Sequence, residues 1–307
     1  MRREGHTRRE FLRLGAALSA AAGLDGKYSA AFGQGLRQLS QGQPRVLWIQ
    51  GLACAGCSIS LLNADSPTIW DAVTGQFCLA FHPTLSAAQG RLAMQVIDTV
   101  QREEEPFILV VEGAIPAHMP EACRIGGRTL TELLLPLLRR ARFVLAAGTC
   151  ASHGGIPGAE GNPTGASGVR QFMEKEGITV KGRLVCCPGC PAHPDEMLGT
   201  LAHLAAQGYP EVKPLWLTPA MFSEGCLHDV CLRYSQYVGR SFALRLGDAD
   251  GCLYSLGCQG LDVYANCHRR RWNGKVNWCI QAGTPCIGCC LPQFGKSRSS
   301  PFYPRST

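Results

Sequence analysis

The sequence predicts an open α/β domain with a parallel sheet, followed by a smaller irregular domain organised around bound inorganic groups. Three observations carry this expectation. Residues 44–205 alternate short apolar, β-branched runs with helical patterns, the alternation that builds βαβ units. After Pro210 that pattern gives way to glycine, proline and aromatic residues. Nine of the 17 cysteines lie in this last third. A stretch with so little periodic apolar surface cannot order itself by layered packing, so cross-links must supply its order.

Taken in order, residues 1–33 have the form of an export leader. Thr7-Arg8-Arg9-Glu10-Phe11-Leu12-Arg13 precedes an apolar run of small residues at 14–24, the layout of a twin-arginine signal, with cleavage expected within 29–34. That route carries folded proteins, which suits thiols that must be loaded before they meet an oxidising compartment. The expected location is the periplasm or the outer face of the cytoplasmic membrane. The α/β domain is expected over 44–210, with strands at 45–50, 77–81, 107–111, 143–147 and 183–187, apolar throughout as in strands buried on both faces. Helices are expected at 58–73, 87–102, 130–140, 169–176 and 195–206. The boundary falls near 208–220, and the C-terminal domain over 215–303 carries one short helix near 227–238. No later window of about 18 apolar residues occurs, so no membrane anchor is expected in this chain. The formal net charge is +7, with several of the arginines in the leader, which leaves nucleic acid and anionic lipid with little electrostatic claim as partners. The odd count of 17 cysteines, in a chain too long to need disulfide staples, favours metal or cluster ligation.

Three cysteine-bearing turns follow predicted strands: Cys54-x-x-Cys57, Gly148-Thr149-Cys150 and Pro188-Gly189-Cys190-Pro191. Carboxyl ends of strands are where an open α/β sheet places its ligand crevice, so Cys54, Cys57, Cys150 and Cys190 can converge on one site. The glycines let backbone N–H groups approach sulfur closely. Zinc takes the same four thiolates, and the CxxC spacing alone does not decide between them. The C-terminal part does. His228-x-x-Cys231 on a helical turn puts an imidazole and a thiol on one face, and Cys252 and Cys258 complete a second set. Cys267, Cys279, Cys286 and Cys289 make a third. A linear supply of redox clusters explains three such sets better than three structural zincs.

These residues resemble the small subunit of nickel-iron hydrogenases. The matching stretches run from Trp48 to Phe302: the CxxC turn, Phe81-His82-Pro83-Thr84, Val111-Glu112-Gly113-Ala114-Ile115-Pro116, Gly148-Thr149-Cys150-Ala151 with Gly154-Gly155-Ile156-Pro157, Pro188-Gly189-Cys190-Pro191, Leu256-Gly257-Cys258, and Asn266-Cys267 through Cys289. The resemblance implies a flavodoxin-like N-terminal domain. It also implies electron transfer between an H2 site in a large partner subunit, with a nickel-iron or nickel-iron-selenium centre, and an external acceptor such as a cytochrome. No catalytic residue is expected here. The implied cofactors are a proximal [4Fe-4S] cluster on Cys54, Cys57, Cys150 and Cys190, a distal one on His228, Cys231, Cys252 and Cys258, and a medial one on Cys267, Cys279, Cys286 and Cys289. In many members the medial cluster is [3Fe-4S], because proline replaces the fourth thiol. Here that segment reads Trp278-Cys279-Ile280, similar to the branch with three cubanes that includes the nickel-iron-selenium enzymes.

Gly56 and Gly155 stand where oxygen-tolerant members carry extra cysteines, and Ile59 where glutamate is usual. Glu112, at the mouth of the crevice, is a candidate for hydrogen bonding or proton handling, with a structural role at least as favoured. The run His268-Arg269-Arg270-Arg271 reads as a solvated face or cluster counter-charge in preference to a steering patch. Of the other cysteines, Cys78 reads as a buried apolar residue, while Cys186, Cys187 and Cys290, beside ligands, have a weaker reading as substitute ligands. Cys123 and Cys226 have none. Two further function classes remain: an independent exported iron-sulfur carrier, and the cluster subunit of a quinone-reducing respiratory complex. The latter would show an adjacent Cys-Cys pair in its first turn and lack the C-terminal ligands.

Overall fold

The computed structural model describes residues 44–296, apart from positions 66, 67, 76 and 224. The leader and the polar tail, with Phe302, lie outside the described residues. Five strands, β1 (Arg45–Gln50), β2 (Cys78–Phe81), β3 (Phe107–Glu112), β4 (Phe143–Ala147) and β5 (Leu184–Cys187), form one parallel sheet in the order β2-β1-β3-β4-β5. This is the flavodoxin-like doubly wound order, whose ligand crevice opens at the strand ends beside the switch from β1 to β3. β1 and β3 run in register from Arg45 opposite Phe107 to Gln50 opposite Glu112, so both strands finish level.

Seven helices accompany the sheet: α1 (Gly56–Leu62), α2 (Ile69–Gly75), α3 (Gly90–Arg102), α4 (Leu130–Arg140), α5 (Gly148–His153), α6 (Val169–Lys175) and α7 (Pro194–Ala206). Alternate strand residues feed two cores. Leu47, Ile49, Leu109, Val111 and Val144 pack against α3 and α4 on one face. Val46, Trp48, Ile108, Val110 and Leu145 pack against α1, α2 and α7 on the other. With both faces covered, β3 is buried at every position, which is why its sequence is apolar up to Glu112. A Thr129–Glu132 capping box starts α4.

Two helical expectations need correction. The segment 58–73 is two helices, because Asn63 ends α1 and Thr68 caps α2 through Asp71, while Pro67 between them cannot donate a helical hydrogen bond. The segment 227–238 is helical only at α8 (Tyr234–Val238). His228 and Cys231 therefore sit on a turn, where the Cys231 N–H donates to the His228 carbonyl at 3.1 Å. The i, i+3 spacing still brings them together, because a tight turn closes over the same interval as a helix. The C-terminal part holds a small third core of Leu227, Ala243, Leu253, Val263, Trp278, Ile280, Cys286 and Leu291, with Cys231, Cys258, Cys267 and Cys290 packed against it.

Leu109 is fully buried at the centre of the sheet. Leu109→Ala is expected to cost roughly 2–5 kcal/mol, seen as a lowered unfolding midpoint with the spectroscopic signature of the folded protein unchanged at low temperature.

Candidate functional site

The segments after β1, β4 and β5, with Cys57 in the first turn of α1 and Cys150 in α5, bring Cys54, Cys57, Cys150 and Cys190 to one edge of the sheet, close enough for their charges to act on one another. Burial pushes the Cys150 thiol up to about 11, with Cys190 adding to the effect. Cys57 is raised further still, chiefly by burial, and Cys190 is raised for the same reason. Such thiols keep their protons unless a cationic centre shares the site. Backbone fits tightly around the sulfurs. Gly148 has φ +85°, and a Cβ there would lie 2.4 Å from Cys57 Sγ. A Cβ at Gly56 would lie 3.0 Å from Cys54 Sγ, and one at Gly155 2.9 Å from Cys150 Sγ. The Ala192 N–H donates to Cys57 Sγ at 3.5 Å, and the Ile156 N–H donates to Cys150.

Behind the CxxC turn lies a polar network in which Glu112, 2% exposed, is the hub. Its Oε1 accepts from the N–H groups of Cys57 (3.0 Å) and Ser58 (3.2 Å). Its Oε2 accepts from Trp48 Nε1 and Gln50 Nε2, both at 3.0 Å, and from the Ser58 hydroxyl. The carboxylate thus caps the first turn of α1, tying β1 and β3 to the first two thiols. His82 completes the network. Its Nδ1 accepts from the Thr84 N–H at 3.0 Å, so the ring proton of the neutral form lies on Nε2, 3.2 Å from Ser58 Oγ. Burial lowers its pKa to about 4, against the raising influence of Glu112.

Cys267, Cys279, Cys286 and Cys289 line a cavity of about 360 Å³, which Cys190 also borders. Burial raises all four thiols, Cys286 to about 12 and Cys289 to about 11. His228, Cys231, Cys252 and Cys258 line another cavity together. The three sets follow one another in space, and the Gln259 N–H, next to Cys258, donates to the Cys286 carbonyl at 2.7 Å. The Cys190 N–H donates to Cys289, and the Cys258 charge acts on Cys279 and Cys286. Thr149 binds the first junction: its Oγ1 accepts from the Gly189 N–H at 2.8 Å and donates to the Cys289 carbonyl.

The other cysteines differ in their relation to these sets. Cys186 and Cys187 face opposite cores, with Cys187 Sγ 3.3 Å from Thr200 Oγ1. Cys187 also lies near enough to Cys57 for their charges to act on one another. Cys290 borders the same cavity as the medial set. Cys226 donates to the Gly260 and Leu261 carbonyls, and Cys78 is half-buried. Cysteine spacing could not reveal Thr149, Glu196 or Arg233. Glu196 faces the medial cavity, where burial raises its carboxyl to about 8 against the opposing charge of Arg270. Arg233 lines the distal cavity.

Comparison with known proteins matches this geometry. Residues 54–204 fit the family described as the NADH ubiquinone oxidoreductase 20 kDa subunit. Residues 224–303 fit the C-terminal region of the NiFe/NiFeSe hydrogenase small subunit. The sequence is 37% identical to the periplasmic [NiFeSe] hydrogenase small subunit of Desulfomicrobium baculatum, over 97% of this chain and 98% of that protein. The chain belongs to the small subunits of the NiFe/NiFeSe hydrogenases. It is 32% identical to the periplasmic [NiFe] hydrogenase small subunit 1 of Nitratidesulfovibrio vulgaris, over 98% of this chain and 94% of that protein. It superposes on the recombinant [NiFeSe] hydrogenase of Desulfovibrio vulgaris Hildenborough with a TM-score of 0.78 and 36% identity, over 85% of this chain and 97% of that one. The respiratory-complex alternative survives only as the shared N-terminal fold, since this hydrogenase small subunit carries the family's C-terminal region as well.

The His82 network makes the stability of this hydrogenase subunit fall on the acid side. Above the ordinary histidine pKa of 6.5 the ring is neutral in both folded and unfolded chains; between there and about 4 the unfolded chain takes up a proton that the folded one refuses. Across that window His82→Gln is expected to remove up to about 3 kcal/mol of acid-side loss, read as a flatter dependence of Tm on pH than in the wild type.

Proposed function

We propose that this chain relays electrons between an H2 site in a large partner subunit and an external acceptor such as a cytochrome, through three iron-sulfur clusters. The observation that carries this reading is the succession of the cysteine sets: Cys190 borders the medial cavity, and the residue after Cys258 donates its N–H to the Cys286 carbonyl at 2.7 Å. The donors fit such groups. Cys54, Cys57, Cys150 and Cys190 would hold the proximal cluster, Cys267, Cys279, Cys286 and Cys289 the medial, and His228, Cys231, Cys252 and Cys258 the distal. A zinc ion needs its sulfurs within about 2.3 Å of one point. Three such sets in succession suit redox groups better than three structural zincs.

When bound, the clusters supply reversible one-electron chemistry. The chain's own contribution is to hold the thiolates, to donate backbone N–H bonds to them and to keep water away. Imidazole at His228 brings no negative charge where a thiolate would, which suits the distal site to the exit position. Beside the proximal turn, Ile59 is 56% exposed where the family usually has glutamate, and Leu62 is also exposed. That apolar strip supports coverage of the crevice edge by the large subunit. Two domains, 44–210 and 215–303, divide the clusters between them, and the twin-arginine leader directs the complex to the periplasm. The relatives named periplasmic agree with that placement. No helix among the described residues is long and apolar enough to cross a membrane.

Purified protein is expected to contain iron and acid-labile sulfide in equal amounts, and zinc without sulfide would overturn the proposal. Cys279 acts with the other medial thiols, so the medial cluster should be a cubane. Oxidised wild type should then lack a stoichiometric three-iron paramagnetic signal, and Cys279→Pro should introduce one.

A further inference from the structure

Arg233 is 6% exposed and lines the distal cavity with His228, Cys231, Cys252 and Cys258. Its Nη1 donates to the Gly251 carbonyl at 2.6 Å and its Nη2 to the Asp248 carbonyl at 2.9 Å. Its Nε is buried with no partner. Among the described residues no carboxylate pairs with this guanidinium. That of Asp248 is occupied by the N–H groups of Leu244 (3.0 Å) and Arg245 (2.9 Å). A cation buried against carbonyls alone is costly, and chains keep one where an anion offsets it. The anion on offer is the distal set itself. The backbone N–H of Arg233 donates to Cys231 Sγ at 3.4 Å, which sets the residue beside that thiol, and the guanidinium charge opposes the effect of burial on it.

We infer that Arg233 is the counter-cation of the distal site, placed to stabilise the added negative charge when that site takes up an electron and so to raise its potential. The inference rests on the iron-sulfur reading above and deepens it. Reduction adds one electron at a site that keeps its ligands, so a fixed positive charge at the cavity wall favours the reduced form over the oxidised one. The opposite arrangement holds at the proximal site, where the carboxylate of Glu112 acts on Cys57 and Cys150. Fixed charge thus runs from negative at the first ligand set to positive at the last, a gradient that draws electrons toward the exit.

The test uses the complex purified from its host, with distal potentials measured by paramagnetic resonance during redox titration. In Arg233→Gln the distal site should lose at least tenfold in its reduction equilibrium, a downward shift of at least about 59 mV for a one-electron couple, while the proximal and medial sites hold theirs. Arg233→Lys keeps the charge but cannot span both carbonyls. It should stay near the wild-type potential. If both variants keep their iron and shift alike, or neither shifts, the charge role is wrong. If Gln loses the distal iron, Lys decides: retention of iron and potential supports the inference, and loss of both assigns Arg233 to bracing the 248–251 turn alone. Absence of iron and sulfide from the wild type would instead overturn the underlying reading, whatever the variants do.

Discussion

Thiols buried next to one another hold their protons, and a cationic group must enter before they can all ionise. This constraint governs the molecule. Cys57, Cys150 and Cys190 lie at the ends of strands whose own packing is complete, so the sheet bears the cost of crowding them. In the C-terminal part no such frame exists. Its small third core has thiols among its members, so apolar packing and the cysteine sets occupy the same interior. One part of the chain is a scaffold that offers a site, and the other is a set of sites that makes its own scaffold.

The sheet was legible because strands covered on both faces are written as unbroken apolar runs, and those runs locate all five strands to within a residue. The break between α1 and α2 was missed because apolar spacing carries across it, whereas Asn63 ends α1 and the Thr68 hydroxyl caps α2. The grouping of the cysteines at one sheet edge and around two cavities was legible from short-range spacing and from the rule that crevices open at strand ends. Thr149 and Arg233 were not. Their partners are largely backbone atoms: the Cys289 carbonyl for Thr149, and the Gly251 and Asp248 carbonyls for Arg233. Every residue supplies a carbonyl, so a sequence cannot announce which one will be used. Glu112 stood out as an acid at the end of an apolar strand, but its five donors come from β1 and α1 and depend on the register of two strands.

The match of residues 54–204 to a respiratory-complex subunit shows how much of this chain is common framework. A doubly wound sheet with thiols at its carboxyl edge can serve more than one enzyme, and fold alone does not say which. The C-terminal ligands make the difference. They continue the row of sites beyond the sheet, and what a shared domain does with its electrons depends on where the following residues lead them.

Thr149 joins the turn carrying Cys150 to the carbonyl of Cys289, which lies 140 positions further along the chain. The first cysteine set is therefore braced by a segment synthesised long after it. Contacts of such long sequence separation form late, because the intervening chain must be ordered before they close. A nascent chain that stalls or is trimmed before position 289 has its sheet and its first four thiols but not the strut that fixes their turn. Synthesis through position 289 thus becomes a checkpoint on the bracing of the first cysteine set.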